Sequence, residues 1–369
     1  MNKFIKFYLI ILPLIALIGI ILSIFRVAFS IDYVQLYILF GASLDLIIII
    51  LGRKYLSKKT ILFVFYILIF SVLVGLIQGN EITRRYITDF TNPFFFFCKI
   101  YIFKAFWEVN DFKKFIRYYT KIGVIGSLIL LPITYFIFSL AGASRMAIFP
   151  PMELPFSYFL QTNNVLFLII SFIIIILYGK RAQLVGAMVT LFIFKLYLSR
   201  EKLLLNITLI ILSFFLFSLS LIYFSDNMAI NRINYTIEQF QDSGTAGIAN
   251  TRILEVEAIL SEMNSVVDFF FGKGIGFTYY YEHTADSSRS NAHFSPLSFI
   301  SKYGFIFTMF LYYYLIRTIF KKTKKRSSNY NIAAITCIFI FIESFFAYTL
   351  FVTPIFPLVF GYLKTRKNE

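Results

Sequence analysis

"IKFYLIILPLIALIGIILSIF", residues 5–25, decides what kind of molecule this is. As a helix rising about 1.5 Å per residue it reaches roughly 30 Å, the thickness of a bilayer's hydrocarbon core. The run is longer than the apolar core of a signal peptide, and no small-residue cleavage site follows it, so it reads as a retained first span. Similar runs recur along most of the 369 residues, 59% of which are hydrophobic and only 15% charged. Soluble domains average about 45–50% apolar and about 25% charged. The expected fold is therefore all-α, a polytopic bundle of transmembrane helices.

Charge orients the chain. The formal net charge of +16 sits in short basic stretches: "MNKFIK", "RKYLSKK" (53–59), "DFKKFIRYYTK" (111–121), "RTIFKKTKKR" (317–326) and the tail "KTRKNE". Basic loops stay in the cytoplasm, so this placement argues against nucleic acid as a partner and places both termini inside. Residues 225–295 are the exception, with four basic residues against nine acidic ones. That segment is expected outside, as one large loop inserted in a single membrane domain covering 1–369.

Spans are expected near 5–25, 33–51, 60–78, 93–109, 122–140, 164–178, 183–198, 203–224, 296–318, 332–348 and 350–364. A short descending half before "QTNN" (161–164) completes the parity. The expected total is about twelve crossings, with about ten as the alternative and the Pro-rich stretch 150–155 as the point of doubt. Cys98 and Cys337 lie far apart in apolar runs, and there are only two histidines, so neither a disulfide nor a metal site is expected and no cofactor is called for.

Within the outer segment, "NTRILEVEAILSEMNSVVDFFFGKGIG" (250–276) predicts one amphipathic helix ending before Gly272. Asn250 or Thr251 caps it, Glu255 and Glu257 sit near the positive end of its dipole, and Ile253, Val256, Leu260, Met263 and Val267 form its apolar face. Gly272, Gly274 and Gly276 make a loop turn; the alternative, a backbone cradle for phosphate, lacks the strand and helix start of a nucleotide fingerprint. His293 follows in "RSNAHFSPLSFISKYG" (289–304), just ahead of an apolar span.

The order of these features is more specific than any one of them. Arg252 opens a helix, "GKGIG" follows, then a polar strip with His293, then a span beginning with "KYG". Earlier, "SRMAIFPPMELPFSYFL" (144–160) places Arg145 before prolines, and "YGKRAQLVGAM" (178–188) places Lys180 and Arg181 at a turn between spans. Over roughly residues 120–320 this pattern resembles the O-antigen polymerase and O-antigen ligase superfamily of bacterial membranes. That family often has a His-Asn pair where this chain has His293-Phe294, with Asn291 two positions earlier, which favours the polymerase branch.

The resemblance implies glycosyl transfer from an undecaprenyl-diphosphate-linked oligosaccharide on the outer face of the cytoplasmic (inner) membrane, without metal or nucleotide. A chain-length regulator and a flippase would be its partners. His293 would act as general base with Arg252 beside it, and Arg145, Arg181 and Arg289 would hold the diphosphate. Histidine titrates near neutral pH, and a guanidinium grips phosphate oxygens in pairs. Tyr279, Tyr280 and Tyr281 are candidates for stacking on sugar, His283 is the rival histidine, and Arg84 and Arg85 suit lipid headgroups. A ligase acting on another acceptor and a lipid-linked oligosaccharide flippase are the alternatives. The flippase is disfavoured by spans in which only Lys195 and Glu343 stand out as ionisable.

Overall fold

A computed structural model describes residues 2–29, 34–142, 148–194, 253–280, 288–289, 291–321, 327–347 and 350–365. Arg145, Arg252, Lys195, Tyr281, His283 and the span expected at 203–224 lie outside the described residues. The rest is almost entirely helical. The helices are α1 (Asn2–Phe29), α2 (Val34–Gly52), α3 (Lys58–Ile77), α4 (Arg84–Val109), α5 (Phe112–Leu140), α6 (Glu153–Gln161), α7 (Val165–Leu177) and α8 (Arg181–Ile193). After the gap come α9 (253–262), α10 (Val266–Phe271), α11 (Ser295–Ile319), α12 (Ser328–Ser344) and α13 (Ile355–Leu363). Among the described residues, four helices are long and apolar enough to cross a membrane: Lys3–Phe29, Lys58–Ile77, Phe112–Leu140 and Ser295–Ile319.

The chain divides into two compact units, each assembled from three separate stretches. The first takes Met1–Ile48, Val109–Gln241 and Lys325–Glu343. Its core joins Leu17 and Ile20 of α1, Phe156 of α6, Ile174 of α7, Leu184 of α8 and Phe339 of α12. Leu17 seats on Gly126 of α5, where any Cβ would collide with its methyls. Small residues let helix backbones approach closely where lipid removes most of the hydrophobic drive to associate. The break at "QTNN" forms as the sequence suggests. Asn163 takes a left-handed φ of 52°, and the Asn164 side chain accepts from the Phe167 N–H at 3.4 Å to start α7.

The second unit takes Ile49–Glu108, Asp242–Lys324 and Ser344–Glu369. Here α13 presses on α4: a Cβ on Gly361 would lie 2.9 Å from the Ile100 carbonyl, and the Trp107 indole N–H donates to the Leu358 carbonyl at 3.1 Å. Phe96 and Phe356 stack with centroids 5.5 Å apart, filling the same seam.

Three local expectations need correcting. The basic loop at 111–121 is helix: Asp111 caps α5 by accepting from the Lys113 N–H at 2.9 Å, and the lysines ride its first turns. The single helix expected from 250 to 271 is two. Ser265 and Asp268 form a reciprocal capping box that starts α10 afresh after α9 ends at 262. A capping box satisfies two backbone donors, enough to favour a restart over continuation. Finally, the span expected at 296–318 forms as Ser295–Ile319 but is kinked at Gly304, whose φ of 83° and ψ of 164° are not helical.

Candidate functional site

The described part of the 225–295 segment organises around one carboxylate that sequence periodicity hides. The predicted apolar face of α9 forms only in part: Val256 and Met263 pack inward, but Ile253 is 46% and Leu260 48% exposed, and Val267 on α10 is exposed too. The face turned inward carries Ile259 and Glu255, with Leu254, Val256, Ala258 and Met263 packed alongside. A buried glutamate is tolerable only when donors surround it, and four do.

A two-strand hairpin supplies two of them. Strands β1 (Tyr279–Tyr280) and β2 (Ser288–Arg289) pair antiparallel with Tyr279 opposite Arg289. The Tyr279 hydroxyl donates to Glu255 Oε1 at 2.8 Å, and Arg289 Nη1 lies 3.5 Å from the same oxygen. Four residues beyond Arg289, the His293 backbone N–H donates to Glu255 Oε2 at 3.2 Å. The His293 ring completes the set, with Nδ1 3.2 Å from both carboxylate oxygens.

Electrostatics favours the ionised carboxylate. Burial pushes the Glu255 carboxyl up, but the His293 ring hydrogen bond, that ring's charge, the Tyr279 hydroxyl and the His293 N–H together outweigh it. The pKa therefore lies below the ordinary glutamate value. With Nδ1 turned to Glu255, the neutral ring carries its proton there and its lone pair on Nε2. The side chain is 48% exposed, against 3% for Glu255. A base oriented by a buried carboxylate and open to solvent can accept a proton and have the resulting imidazolium stabilised.

Beneath this pair lies a second charged group on the helices. The Lys302 ammonium donates to Asp89 Oδ1 at 2.7 Å and also to Asn291 Oδ1, two residues before His293. Asp89 Oδ2 accepts from the Gly276 N–H at 3.1 Å, and the Tyr303 hydroxyl donates to the Asp89 carbonyl at 2.7 Å. Both charges are buried, Lys302 completely. The exposed Arg85, at the start of α4, is close enough for its charge to act on Lys302.

The glycine turn holds this arrangement together. Gly272, Gly274 and Gly276 all have positive φ. A Cβ on Gly272 would sit 2.8 Å from the Lys302 carbonyl oxygen, and one on Gly274 would run into the Gly75 backbone of α3. The Lys273 N–H donates to the Ser301 carbonyl at 2.7 Å, and the Asn80 amide clasps the carbonyls of Lys273 and Ile275 at 3.0 Å each. This is a packed turn, with its amides engaged by protein. The N–H groups of Gly272, Lys273, Ile275 and Gly276 all donate to protein acceptors, which disfavours the phosphate-cradle alternative.

Of the expected site residues, His293 and Arg289 come together. Arg181 is an exposed residue opening α8 in the other unit. Tyr279 is corrected from sugar platform to buried support, at 2% exposure, whereas Tyr280 remains 58% exposed. Glu255, Asp89, Lys302 and Asn291 carry no motif that marks them as site residues in the sequence. A polar residue on the i, i+4 partner of buried Ile259 was the available signal for Glu255. Only the fold pairs Asp89 with Lys302, 213 positions apart. An aromatic cavity of about 290 Å³ shares Tyr303 with the ion pair and is otherwise lined by residues such as Phe63, Phe70, Phe270 and Phe307.

Comparison of the chain with protein-family models, with curated proteins and with solved structures gave no match.

Proposed function

We propose that this chain is a glycosyltransferase that joins undecaprenyl-diphosphate-linked oligosaccharide repeat units on the outer face of the cytoplasmic membrane. It would be a polymerase of O-antigen, capsule or exopolysaccharide. The observation that carries the reading is the Glu255–His293 pair, a carboxylate-oriented base on the segment expected outside. In the reaction, an acceptor hydroxyl gives its proton to His293 Nε2 as its oxygen attacks the anomeric carbon of the donor sugar. The bond from that carbon to the diphosphate oxygen breaks, and the diphosphate leaves with the electron pair, inverting the anomeric configuration. Glu255 keeps Nδ1–H in place and stabilises the imidazolium.

The leaving diphosphate needs cations at a water-poor interface. Arg289 beside the base, and Arg84 and Arg85 at the exposed start of α4, suit that task; Arg145, Arg181 and Arg252 complete the set expected from the resemblance. The aromatic cavity suits an isoprenoid tail. In this reading the chain makes about twelve crossings with both termini cytoplasmic, and no metal takes part, so turnover persists in chelator.

A transporter of lipid-linked oligosaccharide is the second reading, favoured by the Asp89–Lys302 pair buried between α4 and α11. Charges buried in membrane helices commonly mark transport pathways. Deleting the gene and resolving surface glycan on a gel separates the readings. Single repeat units still on their carrier indicate a lost polymerase. Long polymer held on undecaprenyl diphosphate indicates a lost ligase, and absence of all external units a lost transporter. For the polymerase, His293→Ala lowers polymer formation by about 10²–10⁴-fold; full chain length in that variant would sink the general-base role.

A further inference from the structure

A second buried polar group lies in the other unit, on α6, α8 and α12. Gln183 Nε2 donates to the Pro150 carbonyl at 2.8 Å and to Glu153 Oε1 at 3.0 Å, which fixes the orientation of its amide. Glu153 is 6% exposed and Gln183 fully buried. Phe339 of α12 packs edge-on against Phe156 at 5.5 Å, and a Cβ on Gly186 would lie 3.2 Å from the Phe339 carbonyl. Those contacts bring the next turn of α12, with Glu343, within electrostatic reach of Glu153 and of Lys180.

Glu343 is 1% exposed, and neither of its carboxylate oxygens has a hydrogen-bond partner. The Gln183 Oε1 is likewise buried without a donor. Three buried acceptor oxygens on α8 and α12 thus lack a donor. The Lys180 ammonium sits 3.8 Å from the centre of the Phe149 ring and supplies one positive charge against two carboxylates. With both carboxylates ionised one negative charge is left over, and an uncompensated buried charge is costly unless a cation or a proton takes it up. All-oxygen donors select a hard cation. A leftover charge of one is balanced by a monovalent cation.

We propose that Glu153, Gln183 and Glu343 form a buried Na⁺ site. The proposal rests on neither reading of the outer-face site. Its test is the thermal midpoint of the full chain in lipid nanodiscs, titrated with NaCl against choline chloride at constant ionic strength. Na⁺ raises the midpoint saturably by roughly 2–4 °C or more, and choline does not. Glu343→Gln, close in shape but uncharged, moves the half-saturating Na⁺ concentration up about tenfold or more; Gln183→Ala does the same with the charge retained. Equal midpoints in both salts for the unaltered chain overturn the proposal, whether or not either variant folds. So does a folded Glu343→Gln protein whose Na⁺ dependence is unchanged.

Discussion

Glu255 spends its hydrogen-bonding capacity on Tyr279, Arg289 and His293, so its removal acts on the base rather than on bulk stability alone. Glu255→Gln can still pair with the ring but no longer offsets an imidazolium. In the proposed glycosyl transfer it is expected to slow turnover while leaving substrate bound, a fall in kcat with little change in KM. A loss confined to KM would count against the positioning role. The same carboxylate makes the segment around α9 acid-sensitive. Its folded pKa lies below the unfolded value, so its contribution to stability is complete above the ordinary glutamate range and disappears as pH falls through the lower folded value. The acid limb of a thermal-midpoint profile should flatten in Glu255→Gln. Deeper in the same unit, Lys302→Met alone strands the Asp89 carboxylate and is expected to cost about 3–5 kcal/mol. Pairing it with Asp89→Leu should recover much of that loss, and a double variant worse than either single one would contradict the ion-pair account.

At the scale of elements, α9 and α10 show why a stripe of apolar letters misleads. Ile253, Leu260 and Val267 repeat at helical spacing, yet a new helix begins at Ser265 and the buried side of α9 is the one bearing Glu255. Periodicity registers hydrophobicity and has no means of knowing that four donors await a carboxylate. Ser265→Ala removes half of the capping box and should cost about 1 kcal/mol, read as a lower denaturation midpoint. The glycines are less forgiving. Gly304 breaks α11 with φ 83°, and a Cβ there would strike the Phe270 carbonyl. Gly304→Ala carries both backbone strain of about 1–3 kcal/mol and that clash, so poor recovery of folded protein is the expected result. Recovery equal to the unaltered chain would show that the interruption is dispensable.

For the whole molecule, composition announced an apolar helical protein, and four of its helices are long and apolar enough to span a bilayer. The basic stretches bear on orientation: a cysteine introduced at the exposed Tyr280 should react with a membrane-impermeant thiol reagent from outside the cell. Labelling only after the cytoplasm is opened would invert the proposed topology. The two native cysteines are buried, which keeps the background of such labelling low.

Hydrophobic runs, basic loops and the turn residues at "QTNN" are local signals, and from them alone the sequence determined the helical class, most helix positions and the place of one helix break. It also singled out His293 and Arg289, because a histidine and an arginine at the edge of an apolar span are conspicuous by themselves. Which carboxylate orients that histidine, which lysine is buried against Asp89, and which face of α9 turns inward were decided only by tertiary structure. Each depends on partners 24 to 213 residues away in the chain, and a buried charge becomes stable only when distant donors converge on it.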